Sequence, residues 1–343
     1  MMRLPLFEFR APQTVAEAAL ILDGEGPQTM PLAGGTDLLP NMKRRQQVPK
    51  TLMSLNRIAD LHQTKLSDSS WRLGACVTLS EIAADPRFRN GLTALAQAAS
   101  FVATPQIRNM ATLGGNLCLD TRCNYYDQNY EWRKAIGFCL KKDGDTCWVA
   151  PGSSKCMAVS STDTAPALMA LGARVRLVSH ASEREVPLTE LYQNDGIHYI
   201  KRQPNELLME VLVDSLHGWK STYWKLRRRG SFDFPVLSVA AAARISVSGF
   251  VEHARIVVGS VACLPLVAAE ASKSLVGRPL NSESIAKAAS LAAQIAKPLD
   301  NTDFDMTWRK RVTGEFVTHA LRELRGDDMR RERLLLTRHS SCL

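Results

Sequence analysis

Long apolar runs are absent from this chain of 343 residues. No apolar stretch approaches the ~18 residues that a membrane-spanning helix requires. Near the amino terminus, Glu8 interrupts the segment where a secretory signal peptide would be continuously apolar. We therefore expect a cytoplasmic protein that does not associate with membranes.

Familiar nucleotide-binding fingerprints are also missing. The chain contains neither Gly-x-Gly-x-x-Gly nor Gly-Lys-Ser/Thr, which disfavours a Rossmann dehydrogenase and a P-loop nucleotidase. Aromatic residues are scarce, at 6%, and few lie beside the 43 basic residues, which outnumber 34 acidic ones. Because the basic residues are scattered, we expect no nucleic-acid partner. The net charge of +9 indicates a basic face toward an acidic protein, or an ordinary solvated surface.

Hydrophobic residues make up 45% of the chain, which is enough for two or three domains with cores of their own. Short strand-like and helical segments alternate, which predicts a mixed α and β architecture. The apolar pattern breaks near residues 216–222. We therefore predict a first domain over residues 1–217, a second over 218–330 and a basic tail over 331–343.

Several element boundaries can be read from local patterns. Thr14 and Thr78 are each followed three residues later by a glutamate, the pattern of a capping box. Asp163 precedes a short apolar helix that Gly172 would close, so its side chain is a candidate N-cap. The other predicted strands are Met30–Ala33, Trp71–Val77, Ala173–Val178, Val236–Val247 and Ala254–Val261. The other predicted helices cover residues 265–276 and 281–296.

Two glycine pairs could hold an anion. Gly34 and Gly35 follow a predicted strand, and paired glycines allow a tight turn in which successive N–H groups point at a phosphate oxygen. For one pair alone, an ordinary strand-to-helix turn is the simpler interpretation. The second pair, Gly114 and Gly115, favours a dinucleotide held between two loops, each supplying N–H donors and a hydroxyl.

Cysteines are concentrated in one region. Five of the eight lie within residues 118–156. In a cytosolic protein, reduced thiolates suit a metal better than a disulfide framework. Apart from Cys118 and Cys123, which four residues separate, this region has no Cys-x2-4-Cys pair, the usual spacing of structural zinc, so we favour a redox cluster over zinc without excluding zinc. Cys76, Cys263 and Cys342 lie apart and are predicted to be core or tail thiols.

Three motifs together resemble a known family. They are Ala33-Gly-Gly-Thr-Asp-Leu38, Gln106-Ile-Arg-Asn-Met-Ala-Thr-Leu-Gly-Gly-Asn116 and Asp163-x-x-Pro-Ala-Leu-x-Ala-Leu-Gly-Ala173. In order and spacing they resemble the FAD-binding medium subunits of the molybdenum hydroxylase (xanthine oxidase) family. The resemblance implies an α+β fold: an FAD-binding PCMH-type domain of two α/β subdomains and a C-terminal α+β domain of the CO dehydrogenase flavoprotein type.

The same resemblance implies the flavin-binding residues. The pyrophosphate would lie against both glycine loops, while Leu207 and Lys225 would lie near the isoalloxazine, although a lone lysine could equally be at the surface. Val102 falls where relatives have an aromatic residue. The full set is Leu32, Ala33, Gly34, Gly35, Thr36, Asp37, Val102, Thr112, Gly114, Gly115, Asn116, Asp163, Leu207 and Lys225.

Asn116 and Asp163 are separated by far more residues than in most members of that family. This insertion, at about residues 117–160, resembles the one in β subunits of 4-hydroxybenzoyl-CoA reductases, which carry an extra [4Fe-4S] cluster. The resemblance implies that the cluster ligands are Cys123, Cys139, Cys147 and Cys156, whose intervals of 15, 7 and 8 residues leave slack to wrap a cubane. Cys118 is then spare and is predicted to be a buried apolar side chain.

The implied activity is electron transfer, with no catalytic residue on this chain. A large partner subunit would carry the molybdenum cofactor, and a small one would carry two [2Fe-2S] clusters. The three subunits would form a dimer of heterotrimers, with ferredoxin as the electron donor. Alternatives are the corresponding subunit of an aldehyde or purine oxidoreductase, and a zinc-bearing scaffold protein. Basic residues of the insertion would steer an acidic ferredoxin: Arg122, Arg133, Lys134, Lys141, Lys142 and Lys155.

Overall fold

Three sheets organise the part of the chain that the computed structural model describes, residues 3–67 and 69–338. Cys342 lies outside these residues. No helix within them is long and apolar enough to cross a membrane. The strands are β1 (Glu8–Arg10), β2 (Thr29–Leu32), β3 (Thr51–Ser54), β4 (Thr64–Leu66), β5 (Ser70–Gly74), β6 (Arg174–Val178), β7 (Glu183–Pro187), β8 (Leu207–Asp214), β9 (Trp219–Leu226), β10 (Leu237–Ile245), β11 (Val251–Gly259) and β12 (Leu266–Val267).

Helices connect and cover the sheets, together with short 3-10 turns. They are α1 (Val15–Glu25), α2 (Leu38–Lys43), α3 (Leu79–Ala84), α4 (Pro86–Gly91), α5 (Thr93–Phe101), α6 (Pro105–Arg108), α7 (Leu113–Leu117), α8 (Tyr130–Ala135), α9 (Thr164–Ala170), α10 (Ala269–Leu275), α11 (Ser282–Ile295), α12 (Met306–Arg325) and α13 (Arg330–Arg338). This mixture of helix and sheet agrees with the predicted α+β class.

The first sheet is parallel, in the order β1-β3-β2. Its central strand β3 is buried along its whole length. Helix α1 packs Ala18 and Leu22 into the same core as Met53 of that strand. Strand β2 ends at Leu32, directly before the first glycine motif, so the parallel sheet fixes where that motif begins.

The second sheet is antiparallel, in the order β4-β5-β8-β6-β7. Leu73 of β5, Val175 of β6 and Val211 of β8 belong to the largest core, together with Ala98 of α5 and Leu168 of α9. Strands β5 and β8 pair with each other in this sheet, although one precedes and the other follows the cysteine-rich insertion in sequence. The insertion therefore interrupts the chain without entering this sheet.

The third sheet, β12-β11-β10-β9, is also antiparallel and has both faces covered. Along β10, Val239 and Ala241 pack into a core with α10, α11 and α12, whereas Ala240 and Ala242 face the largest core. Because side chains alternate along a strand, this run of small residues serves both sides of the sheet. The C-terminal sheet thus packs directly against the first domain.

The structure corrects one local prediction and adds two helices that were not predicted. The capping box at Thr78 is complete, but at Thr14 only half is made, because the Glu17 side chain accepts from Gln13 N instead. The longest helix, α12, was not predicted, although Val312, Phe316 and Ala320 recur at helical spacing. Residues 330–338 are helical, so the first part of the predicted basic tail forms α13.

Candidate functional site

A cavity of about 410 Å³ lies beside the two glycine motifs. Its volume is within the range of cofactor sites, roughly 300–1,000 Å³. All of the predicted flavin-binding residues except Lys225 line it. These are Leu32, Ala33, Gly34, Gly35, Thr36, Asp37, Val102, Thr112, Gly114, Gly115, Asn116, Asp163 and Leu207.

The first glycine pair forms a turn that touches the second motif. A Cβ atom at Gly34 would lie 1.7 Å from the carbonyl oxygen of Met110, so only glycine allows this approach. Gly35 has a φ of +69°, a conformation that glycine adopts without strain. Among the described residues, no protein acceptor takes the N–H groups of residues 34–37. These groups are free to bind an anion.

The second glycine pair is held in a different way. Gly114 N donates to Ala75 O at 2.8 Å, and Gly115 N donates to Thr112 Oγ1 at 3.1 Å. The Thr112 hydroxyl therefore caps α7. The expectation that the N–H groups of Gly114 and Gly115 bind the ligand is wrong, because the protein itself uses them, whereas the Thr112 hydroxyl only accepts here and can still donate its hydrogen to a ligand. The loop contributes wall surface to the cavity.

Asn116 joins the two ends of the insertion. Its Oδ1 atom accepts hydrogen bonds from Thr162 Oγ1 at 2.8 Å, Thr164 N at 3.0 Å and Thr164 Oγ1 at 2.7 Å. Thr162 Oγ1 in turn accepts from Ala165 N at 3.2 Å. These bonds cap the start of α9 and hold the first and last residues of the insertion next to each other.

Asp163 occupies the N-cap position of α9, but its carboxylate does not cap the helix. It accepts from Tyr223 Oη at 2.6 Å and lies 3.0 Å from Lys225 Nζ. The capping role predicted for Asp163 is therefore wrong, since Asn116 and Thr162 already take the first helical N–H groups. Lys225 is buried behind Asp163 rather than on the cavity wall, so the surface alternative for Lys225 is also wrong.

Several cavity residues were not identified from the sequence. Arg122 is buried, forms an ion pair with Asp37, donates to Asn41 Oδ1 at 3.2 Å and lies 4.6 Å from the ring centre of Phe234. Burial lowers the pKa of Arg122. No local pattern marks these side chains, because only the fold brings the insertion to the cavity. Others on the wall are Arg44, Asp120, Tyr199, Arg202 and Phe232.

The residues present fit FAD. The free N–H groups of residues 34–37 suit a pyrophosphate, and Leu32 and Leu207 give apolar wall for a ring system. Ser161 also lines the cavity, is buried and has no hydrogen-bond partner for its Oγ among the described residues. A buried hydroxyl without a partner is costly, which indicates a ligand that would satisfy it.

The four predicted cluster cysteines meet at a second, small cavity. Cys123, Cys139, Cys147 and Cys156 are free thiols, between 4% and 8% exposed, and line that cavity together. Burial raises the pKa of Cys123 to about 12 and that of Cys156 to about 11. Four thiols in a dry site fit an iron–sulfur cluster, whose positive iron would stabilise the thiolates. Within the described ranges, no three His, Cys, Asp or Glu side chains are arranged to hold a single metal ion.

The remaining described cysteines lie elsewhere. Cys118 is half-buried on the wall of the large cavity, so its predicted burial is only partial, and it does not line the cysteine cavity. Cys76 is buried in the core of the first sheet, as predicted. Cys263 is also buried, and its Sγ donates to the carbonyl oxygen of Cys156 at 3.3 Å.

Half of the basic residues expected to steer ferredoxin are not at the surface. Arg122, Arg133 and Lys141 are buried or have buried side chains. Their predicted docking role is wrong, because a buried and hydrogen-bonded cation cannot meet a partner in solution. The insertion leaves three lysines exposed or half-exposed to solvent, namely Lys134, Lys142 and Lys155.

Comparisons with known proteins agree with this architecture. The family described as FAD binding domain in molybdopterin dehydrogenase matches residues 5–213, and the CO dehydrogenase flavoprotein C-terminal domain matches residues 221–324. The chain is 28% identical over 321 residues to the carbon monoxide dehydrogenase medium chain of Hydrogenophaga pseudoflava, covering 92% of this chain and 96% of that protein. It is 33% identical over 269 residues to the aldehyde oxidoreductase FAD-binding subunit of Escherichia coli, covering 76% and 82%.

A solved structure shows the same fold. The carbon monoxide dehydrogenase of Hydrogenophaga pseudoflava that lacks the Mo-pyranopterin moiety matches with a TM-score of 0.76 and 27% identity, over 93% of this chain and 97% of that one. The predicted PCMH-type domain and C-terminal flavoprotein domain are confirmed. The relatives are subunits of oxidoreductases. This chain belongs to the FAD-binding medium subunits of the molybdenum hydroxylase family.

Proposed function

We propose that this chain is the FAD and [4Fe-4S] electron-transfer subunit of a 4-hydroxybenzoyl-CoA reductase. A large subunit would carry the molybdenum cofactor and a small subunit two [2Fe-2S] clusters, in a dimer of heterotrimers. The complex would add two electrons and two protons to 4-hydroxybenzoyl-CoA, releasing the phenolic hydroxyl as water and leaving benzoyl-CoA. Reduced ferredoxin would supply the electrons, one at a time.

The observation that carries this proposal is the cavity formed by Cys123, Cys139, Cys147 and Cys156. These cysteines come from separate turns of the insertion, yet all four side chains are buried around one small space. Free thiols with no metal would gain little from such convergence, whereas a cluster would bind all four. The insertion thus has the donor set of an additional redox centre beside the flavin cavity.

The roles of the protein residues follow from their positions. The N–H groups of residues 34–37 would hold the pyrophosphate, and the four thiolates would hold the cluster. FAD, when bound, supplies exchange between one-electron and two-electron carriers. Asn116 and Thr162 hold the two ends of the insertion together at the edge of the flavin cavity. The substrate would be reduced on the partner subunit, since this chain supplies only the relay.

The decisive experiment joins a metal analysis to an assay. The chain purified without oxygen should contain about four iron atoms per FAD and show a broad absorption shoulder beside the flavin bands. The reconstituted complex should convert 4-hydroxybenzoyl-CoA to benzoyl-CoA with reduced ferredoxin. A flavin spectrum without iron would overturn the cluster. An iron-containing complex that is inactive on this substrate would overturn the choice of reductase.

A second candidate is the FAD and iron–sulfur subunit of an aldehyde oxidoreductase. It is favoured by the 33% identity to the aldehyde oxidoreductase FAD-binding subunit of Escherichia coli. Oxidation of an aldehyde by the same reconstituted complex, without activity on 4-hydroxybenzoyl-CoA, would select it. The zinc-bearing scaffold is not retained, because the relatives are oxidoreductase subunits.

A further inference from the structure

A thin wall separates the cysteine cavity from the flavin cavity. Lys141 and Tyr126 line the cysteine cavity, whereas Asp120 and Tyr199 line the flavin cavity. The Lys141 ammonium lies 4.8 Å from the ring centre of Tyr126 and 5.6 Å from that of Tyr199. We call these four residues the partition. The partition therefore lies between a group bound in the cysteine cavity and a group bound in the flavin cavity.

Lys141 is fixed within the partition by three acceptors. Its Nζ atom lies 2.8 Å from Asp120 Oδ1, 2.7 Å from Thr121 Oγ1 and 2.6 Å from Gly196 O. The side chains of Lys141 and Asp120 are each only 6% exposed. A pair so removed from water is weakly screened, so its charges act strongly on groups nearby.

Asp120 is equally well held on the other side. Its Oδ2 atom accepts from Tyr126 Oη at 3.1 Å and from Gln47 Nε2 at 3.2 Å. The ion pair is therefore fixed in place, with Lys141 on the wall of the cysteine cavity and Asp120 on the wall of the flavin cavity.

The charges of the pair act on whatever each cavity binds. A positive charge beside the cysteine cavity favours added negative charge on a group bound there. By the same physics, a carboxylate at the flavin cavity disfavours negative charge on its neighbour.

We propose that the Lys141–Asp120 pair shifts the reduction potentials of the two redox centres in opposite directions, raising that of the cysteine site and lowering that of the flavin. The cysteine half of this inference rests on the proposed cluster. An electron taken up without a proton adds one negative charge, which the ammonium stabilises at the cysteine site and the carboxylate destabilises at the flavin. The pair would ease entry of an electron from a low-potential donor and keep the flavin strongly reducing.

The test removes both charges and measures potentials rather than turnover. The holo-protein with Lys141→Met and Asp120→Asn is titrated with dithionite and redox mediators. The cluster is followed by electron paramagnetic resonance of its reduced form, and the flavin by visible absorbance. The cluster potential should fall and the flavin potential should rise. Unchanged potentials, or shifts of both centres in the same direction, would overturn the inference.

Matched variants separate charge from structure. Lys142→Met removes the neighbouring charge, which is half-exposed and pairs with Asp143 at 3.4 Å, and should leave both potentials unchanged. Lys141→Arg keeps the charge and should restore the wild-type cluster potential. If the double variant does not fold, Asp120→Asn alone leaves the ammonium bonded to Thr121 and Gly196 and should still raise the flavin potential.

The experiment distinguishes failure of the proposed cluster from failure of the proposed effect of the ion pair. Wild-type protein without iron would overturn the proposed function, while the flavin titration would still decide the role of Asp120. A cluster present in every variant with unshifted potentials would overturn only the role of the ion pair.

Discussion

Lys225 Nζ lies 3.0 Å from Asp163 Oδ2, and the two side chains are only 1% and 3% exposed. Lys225 comes from β9 of the C-terminal sheet, while Asp163 precedes α9 on the wall of the flavin cavity. Tyr223, two residues before Lys225 on the same face of β9, donates to the other carboxylate oxygen. The C-terminal domain therefore fixes a residue of the cofactor site in the first domain.

Removing the lysine should destabilise the protein strongly. Lys225→Met would leave Asp163 buried without its cation, and breaking a buried pair in this way costs about 3–5 kcal/mol. Urea unfolding followed by far-UV circular dichroism measures the loss. The double variant Asp163→Asn with Lys225→Met, which removes both charges, should recover much of it. A double variant no more stable than the single one would contradict this account.

The stability deficit of Lys225→Met should also shrink as the pH falls. Burial raises the pKa of Asp163 above its unfolded value, and the charge of Lys225 opposes that shift. Without the lysine, folding takes up a proton at Asp163, so stability increases as pH falls through the raised pKa toward the unfolded value. Unfolding measured at about pH 7 and about pH 5 should reveal this, and the double variant should lack the response. The same pH dependence in both variants would rule out Asp163 as the titrating group.

The contact between the two glycine motifs should be essential for FAD. In Gly34→Ala, the added Cβ would meet the Met110 carbonyl oxygen and push the loops apart, so flavin should be lost. Gly24→Ala is the matched control, because nothing lies within 4 Å of its added Cβ within helix α1. It should keep flavin and gain about 0.5–1 kcal/mol. Flavin absorbance with circular dichroism measures both, and full flavin occupancy in folded Gly34→Ala would return the motif to an ordinary turn.

Iron and flavin should be separable by mutation. Cys147→Ala removes one sulfur from the cysteine cavity, which the flavin loops do not touch, so iron should be lost and FAD retained. Cys118→Ala, on the flavin cavity wall, should retain iron. Iron content is measured by elemental analysis and FAD by absorbance. Iron at the wild-type level in Cys147→Ala, or its loss in Cys118→Ala, would show that the ligand set is wrong.

Docking of an acidic electron donor should depend on the exposed lysines alone. Changing Lys134, Lys142 and Lys155 together to glutamate should slow reduction by ferredoxin at low ionic strength. Exposed charges are screened over about 8 Å at physiological salt, so the difference should vanish as salt rises. Stopped-flow absorbance measures the rate, and a small neutral dye serves as control. Equal ferredoxin rates at low salt would place the docking surface elsewhere.

Local patterns predicted the elements that depend on neighbouring residues. The capping box at Thr78, the end of α9 near Gly172 and the strands β10 and β11 all follow from spacing within a few positions. Nearly all of the flavin-binding residues that the motif resemblance implied line the flavin cavity. Helix α12 was missed even though its amphipathic spacing is present.

By itself, the sequence determined the family, the two glycine motifs and the concentration of thiols, because these are properties of residue type and spacing. Only the tertiary structure decided which polar groups are buried and which partners they find. Asp163 meets Lys225 across 62 positions, and Lys141, which the sequence suggested as a surface charge, is buried against Asp120. Burial and pairing arise from contacts between distant segments, so the chemistry of both cavities depends on the fold.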